Sequence, residues 1–209
     1  MLRALTLAAT LSGPAATSLA MLPLPAATAT IPYSIIQEEP TQVAIREAAP
    51  EPPKEVRLIC KSCTANEKIA LQKLQDHGIK DKNALATIMG NIRQESTFQP
   101  DVCEGGARTG YYGCRSGGFG LIQWTSENRF RGLGAHARQI GGNPSSITTQ
   151  LSYLLEEGDW KMIEDRMMTP GRTIDDYMHL ARKWIRWGHH GARTSFAHDY
   201  ASRFTREAV

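Results

Sequence analysis

Glu95 stands three positions after Ile92 and seven after Ile88, so on a helix it falls on the apolar stripe and not on the wet face. Phe98 and Pro100 follow, and Pro100 cannot continue a helix. A carboxyl placed there meets two influences that disfavour its ionised form: partial burial and the negative end of the helix dipole. Both push its pKa upward. A carboxylic acid that keeps its proton near neutral pH can hand that proton to a leaving oxygen, as cleavage of a glycosidic bond requires. The ordinary alternative for a Glu at a helix end is a side chain that reaches water or pairs with an arginine such as Arg93. Position alone does not separate the two readings, but the neighbours do.

Glu95-Ser96-Thr97-Phe98-Gln99-Pro100 is followed by Gly117-Gly118-Phe119-Gly120-Leu121-Ile122-Gln123-Trp124. This arrangement resembles the lysozyme superfamily in its lytic-transglycosylase and goose-type branches. There a Glu-Ser pair ends the catalytic helix and a Gly-Leu-x-Gln segment floors the sugar cleft. It is most similar to the phage tail lysozyme family, whose pattern matches Ala86-Thr87-Ile88-Met89-Gly90-Asn91-Ile92-Arg93-Gln94-Glu95-Ser96, a Gly-rich turn, and Gly-Leu-x-Gln-Trp-Thr. The resemblance runs from about Asn83 to Phe204. It implies a lysozyme-like helical domain that cuts the MurNAc-GlcNAc β-1,4 bond of peptidoglycan with Glu95 as general acid. The family's aromatic-Glu-Arg stretch reads Trp184-Ile185-Arg186-Trp187-Gly188-His189-His190 here, without the Glu.

The matched residues have physical roles to go with the resemblance. Ser96 sets a hydroxyl beside the acid, able to hold Glu95 or an N-acetyl group. Gln123 carries donor and acceptor together, which suits a sugar amide. Gly118 and Gly120, with Gly117, let backbone approach a ligand with no Cβ in the way. Tyr111, Tyr112 and Trp124 offer faces for sugar stacking, although core packing serves Trp124 equally well. Trp184 and Trp187 sit at helical spacing and are expected in the core.

A second carboxylate decides the reaction type. An inverting hydrolase needs a base roughly 6.5–9.5 Å from the acid and a retaining one a nucleophile at roughly 5–5.5 Å. Asp101 and Glu104 fall in the loop after Glu95 and are the candidates; a solvated loop charge is the plainer reading of each. Lytic transglycosylases, which the Glu95-Ser96 pair also resembles, need no second carboxylate, because the substrate's own hydroxyl attacks and an anhydro sugar forms. The closer family match favours hydrolysis. A reading from another class is a module that only binds glycan or builds a virion tail, with Glu95 incidental.

Four cysteines allow three pairings, of which the local one is expected. Cys103 and Cys114 bracket the loop between the acid and the Gly-rich segment, where a bridge contributes about 3 kcal/mol in entropic models. Cys60 and Cys63 pair beside the first helix. A redox Cys-x-x-Cys lacks a surrounding βαβ pattern, and a four-cysteine zinc site lacks ligand spacing at Cys103 and Cys114. His189, His190 and His198 match no ligand spacing and read as a polar rim with Arg186 and Arg193. No metal and no cofactor are expected.

The elements that must position these residues are helices. Thr64-Ala65-Asn66-Glu67 is a capping box, and the helix it opens ends near His77-Gly78. A second begins at Asp81, with Leu85, Ile88, Met89 and Ile92 as its stripe. Ile147, Leu151, Leu154 and Leu155 mark another that stops at Gly158. Ile174, Tyr177, Met178, Ala181, Trp184 and Ile185 mark one that stops at Gly188, and Phe196, Tyr200 and Phe204 the last. Weaker helices cover 126–139 and 159–168. Nothing alternates long enough for a strand apart from a short turn-rich hairpin within 101–123. The fold class is mainly α.

This lysozyme-like domain spans 58–209, after a signal-like leader over 1–29 and a linker over 30–57. Arg3 and the uncharged run Ala4–Leu11 resemble a signal-peptide core, and Ser18-Leu19-Ala20 and Ala27-Thr28-Ala29 are cleavage candidates. Pro14, Pro23 and Pro25 interrupt any spanning helix, so no stable membrane insertion is expected. Proline and glutamate dominate the linker, which has little apolar surface to offset ordering. The net charge is +3; residues 1–63 carry five basic and five acidic side chains, so the excess sits in the domain. That suits an anionic cell wall and is too weak for nucleic acid. The expected partners are peptidoglycan glycan strands and, in a virion, other tail proteins. The expected location is the periplasm, the extracellular space or a virion.

Overall fold

The computed structural model describes residues 54–115 and 117–208. The leader over 1–29, and the linker over 30–57 up to its last few residues, lie outside the described residues. From chain start to end the elements are β1 (Val56–Ile59), α1 (Ala65–Asp76), α2 (Lys82–Ser96), α3 (Glu127–Gln139), α4 (Ile147–Glu156), α5 (Gly158–Lys161), α6 (Glu164–Met168), α7 (Ile174–Ile185), α8 (Arg193–Arg203) and β2 (Thr205–Ala208).

The central element is α2. Its N-cap, Asp81, accepts from the amides of Asn83 and Ala84 at 2.8 and 3.0 Å, satisfying donors that a helix start leaves open. Leu85, Ile88, Met89 and Ile92 are fully buried, as their spacing predicts, each contributing roughly 1.5–3 kcal/mol of apolar burial. The opposite side carries small residues and is buried too. There α8 comes in so closely that a Cβ on Gly90 would lie 2.7 Å from the Ala197 nitrogen and 2.9 Å from the Arg193 carbonyl oxygen. Glycine in mid-helix costs about 1 kcal/mol against alanine, and the close approach is what it allows.

The capping box of α1 is formed by Thr64 and Glu67. Glu67 is also buried against α8, where it accepts from the Tyr200 hydroxyl. The expected helix over 159–168 divides into α5 and α6 around Met162-Ile163, with Met162 exposed and Ile163 in the core.

One element went unread in the sequence. β1 and β2 form an antiparallel pair with Val56 opposite Ala208 and Ile59 opposite Thr205, joining the start of the domain to its end. Each is four residues long, and only Leu58 is buried, so no alternation was there to find. β1 begins inside the segment expected to be linker. Segment 101–123 is turn-rich, as expected. It makes two 3-10 turns and two isolated antiparallel bridges, Val102 with Arg108 and Cys103 with Phe119. Positive φ at Gly105, Gly106, Gly110, Gly117 and Gly120 turns the chain too often for a continuous ladder.

Both expected disulfides are present, Cys60–Cys63 and Cys103–Cys114. Among the described residues no helix is long and apolar enough to cross a membrane.

Candidate functional site

The last turn of α2 is held rigidly before it delivers Glu95. Ser96 is buried, and its hydroxyl donates to the Leu121 carbonyl at 2.9 Å and to Ile92 of its own helix at 3.3 Å. Its role is therefore structural. It fastens the end of α2 to the Gly-rich segment and has no hydroxyl hydrogen to spare for a sugar, contrary to its expected place in substrate binding. Thr97 and Phe98 both take left-handed backbone angles, φ 50° and 59°, in place of the glycine that commonly ends a helix. Phe98 is anchored by burial and by the Asn66 amide, which donates to its carbonyl at 2.9 Å. The other non-glycine residues with positive φ among the described residues are Gln123 and Arg186. All four lie at Glu95 or in the wall of its cavity. Each costs on the order of 1–3 kcal/mol, and such strain concentrates at functional sites.

Glu95 opens onto a cavity of about 560 Å3 whose wall includes Gln123, Thr125, Arg129, Arg186, Trp187, His189 and Arg193. Its side chain is 14% exposed, and Arg193 Nη2 donates to Oε1 at 2.5 Å. Arg193 begins α8 and is 5% exposed. It is fixed from several sides. Its Nη1 reaches the Asn91 carbonyl and side-chain oxygens at 3.4 and 3.5 Å, and its guanidinium lies 4.7 Å from the centre of the Trp187 ring. The loop before it is tied to α2 by the Ala192 amide, which donates to Gln94 at 2.8 Å. Its Nε is buried with no hydrogen-bond partner among the described residues.

Burial is the strongest influence on the Glu95 carboxyl, and it pushes the pKa up. Arg193 pulls the other way by charge and by hydrogen bond, and Arg129 does so by charge, but burial prevails. Burial also lowers the Arg193 pKa, with Glu95 opposing. The site thus holds an acid reluctant to ionise, kept in one orientation by a cation.

Of the expected binding residues, Gln123 shares the cavity wall with Glu95. Its Nε2 donates to the Gly120 carbonyl at 3.0 Å, which orients the amide. Trp124 is fully buried, and its Nε1 donates to Glu157 at 3.1 Å, so it cannot stack on a sugar. Tyr111 is likewise packed inward: its ring stacks on Phe130 with centroids 4.3 Å apart, and its hydroxyl donates to the Phe130 carbonyl at 3.1 Å. Tyr112 is 82% exposed and does not line the Glu95 cavity. Gly118 and Gly120 serve protein packing and do not face that cavity. A Cβ on Gly118 would lie 2.8 Å from the Gln123 Cβ, and one on Gly120, at φ 70°, 2.4 Å from Gln150 Oε1. Gly117 lines a neighbouring cavity of about 370 Å3 that shares Thr125 with the first.

Neither expected second carboxylate lines the Glu95 cavity. Asp101 accepts from Arg108 Nε at 2.5 Å, and Glu104 accepts from the Gly118 amide at 3.2 Å. Among the described residues, Glu95 is the one carboxylate in its wall.

Three site residues, Trp187, Arg193 and Arg129, escaped the sequence reading or were only partly placed by it, whereas Arg186 is exposed in the cavity wall, in keeping with the expected polar rim. Trp187, expected in the core, packs against it but is only half-buried, and it also forms part of the cavity wall. Arg193, expected on a polar rim, is buried against Glu95. Arg129 and Arg186 line the cavity because acids behind them hold them there. Glu157, buried between α4 and α5, accepts from Arg129 Nε and Nη2 at 2.9 and 2.7 Å and from the Trp184 indole at 2.8 Å, besides Trp124. Asp159 pairs with Arg186 and lies 3.5 Å from Arg129 Nε. The one available signal was two tryptophans, Trp124 and Trp184, and an acid in apolar surroundings, since a buried indole N–H or carboxylate needs a partner.

A family model described as phage tail lysozyme matches residues 65–204. No curated relative matches the chain.

Proposed function

This chain belongs to the phage tail lysozyme family, and from that premise we propose that it is a peptidoglycan-lytic glycosidase that cuts the MurNAc-GlcNAc β-1,4 bond with Glu95 as general acid. One observation carries the assignment of the acid: a mostly buried carboxyl, oriented by Arg193 at 2.5 Å, opens onto a cavity large enough for sugar units. Protonated Glu95 gives its proton to the glycosidic oxygen as the bond from that oxygen to the anomeric carbon breaks, and positive charge builds on the sugar ring. Gln123 offers its amide to the substrate, and Trp187 offers a ring face.

A second reading of the later step is favoured by Glu95 being the one carboxylate in that wall among the described residues. In it the muramyl 6-hydroxyl attacks the anomeric carbon, Glu95 takes back the hydroxyl proton, and an anhydro sugar leaves. In hydrolysis water attacks instead. The two disulfides and the leader-like segment 1–29 support an exported or virion-associated protein, since disulfides persist in oxidising surroundings.

Mass spectrometry of fragments released from purified peptidoglycan tests this. Glycan-cut muropeptides are expected; a full reducing end marks hydrolysis, and an end one water lighter marks transglycosylation. Release of no glycan-cut fragment sinks the proposal.

A further inference from the structure

Glu95 shares its cavity with three guanidinium groups, and only Arg193 is bonded to the acid. Arg193 is committed to Glu95. Arg129, from α3, and Arg186, which caps α7, line the same cavity. Both are held from behind. Glu157 grips Arg129 through Nε and Nη2, and Asp159 bridges the pair, lying 3.5 Å from Arg129 and bonded to Arg186 Nη2. Neither acid lines the cavity: Glu157 is 3% exposed with its oxygens turned to arginine and indole donors. Arg129 spends Nε and Nη2 on Glu157, and Arg186 is 61% exposed. Arg186 is moreover held at φ 60°, a conformation that costs a non-glycine residue free energy.

Two guanidiniums fixed in orientation by acids outside the cavity are donors prepared for an anion, because planar guanidinium groups match a carboxylate in geometry and charge. A strand of N-acetylglucosamine alone has no anionic group for them. The muramyl unit of peptidoglycan differs by a lactyl ether, whose carboxylate is free in a denuded strand and otherwise carries a peptide with carboxylates of its own. We infer that Arg129 and Arg186 form a carboxylate subsite, which makes the cavity selective for muramyl-containing strands over uncharged N-acetylglucosamine strands. This rests on the glycan-cutting reading and names the substrate feature recognised beside the acid.

Calorimetric titration of the Glu95→Gln protein, which keeps ligands intact, tests the inference with four ligands of equal sugar length. These are an N-acetylglucosamine oligomer, a denuded muramyl strand with free lactyl carboxylates, and a peptide-bearing strand with its peptide carboxylates either free or amidated. Carboxylate-bearing ligands are expected to bind about tenfold tighter than the neutral oligomer. Adding Arg186→Gln should remove most of that advantage. Preference for the denuded strand assigns the lactyl carboxylate, and preference for the free over the amidated peptide strand assigns the peptide. Equal affinity for charged and neutral ligands, a preference that survives Arg186→Gln, or no binding of any ligand overturns the subsite. Fragment release by the wild-type protein is scored separately. Cutting without carboxylate preference removes the subsite alone, and carboxylate preference without cutting removes the glycosidase reading alone.

Discussion

Arg193 Nη2 and Glu95 Oε1 meet at 2.5 Å, joining residues 98 positions apart in the chain across the packed faces of α2 and α8. The pair sets the acid's protonation as well as its aim. A cation beside a carboxylate favours the ionised form, whereas burial favours the neutral one, and at Glu95 burial prevails.

Arg193→Gln therefore moves the pH dependence in a defined direction. A general acid works while protonated, so the rate falls as pH rises through the Glu95 pKa. Without the cation, ionisation is less favourable, Glu95 keeps its proton to higher pH, and the alkaline limb of the rate profile shifts up. Turnover at the optimum drops because the carboxyl loses its orienting partner. Rates of peptidoglycan clearing across pH check this. An alkaline limb that stays in place or moves down contradicts it.

Gly90→Ala separates helix propensity from packing. Propensity alone predicts a gain of about 1 kcal/mol. The new Cβ would meet backbone atoms of Ala197 and Arg193, which cannot rotate away, and overpacking of this kind costs about 1–3 kcal/mol. The clash wins, so the melting temperature falls. Clearing activity measured well below that temperature falls further than the stability loss explains, because the displaced end of α8 carries Arg193.

The two tryptophans near the site should differ in their effect on substrate, because only Trp187 lines the cavity. Trp124→Phe removes one of the donors to buried Glu157, costing about 1–3 kcal/mol and lowering the melting temperature by several degrees. Trp187→Ala removes a half-buried ring that packs against the core and over Arg193, so it too lowers the melting temperature, but of the two it alone raises the KM for soluble glycan fragments. A Trp124→Phe protein that melts like the wild type, with a large KM defect, reverses the assignment.

The sequence shows the helices clearly, and the placement of Glu95 on a buried stripe, because both follow from local spacing. The stripe Leu85, Ile88, Met89, Ile92 carries Glu95 with it, and Asp81 and Thr64 announce their caps. It does not tell which side of the Gly118–Trp124 segment faces sugar. Ser96 and Trp124 look like ligand contacts from their chemistry, yet the fold spends the serine hydroxyl on Leu121 and the indole on Glu157. Arg193 and Trp187 are placed by α8 docking on α2 through Gly90, a tertiary contact with no periodic signature. The β1–β2 pair is illegible for the same reason: two short strands from opposite chain ends stabilise each other only once the helices bring them together.

Glu95→Gln measures the central claim most directly. Glutamine keeps the size of the side chain and still accepts from Arg193, but it has no proton to give a leaving oxygen. With thermal unfolding run alongside to establish that the fold persists, release of soluble fragments from purified peptidoglycan is expected to fall about 10²–10⁴-fold. A folded Glu95→Gln protein that releases fragments at the wild-type rate contradicts the account.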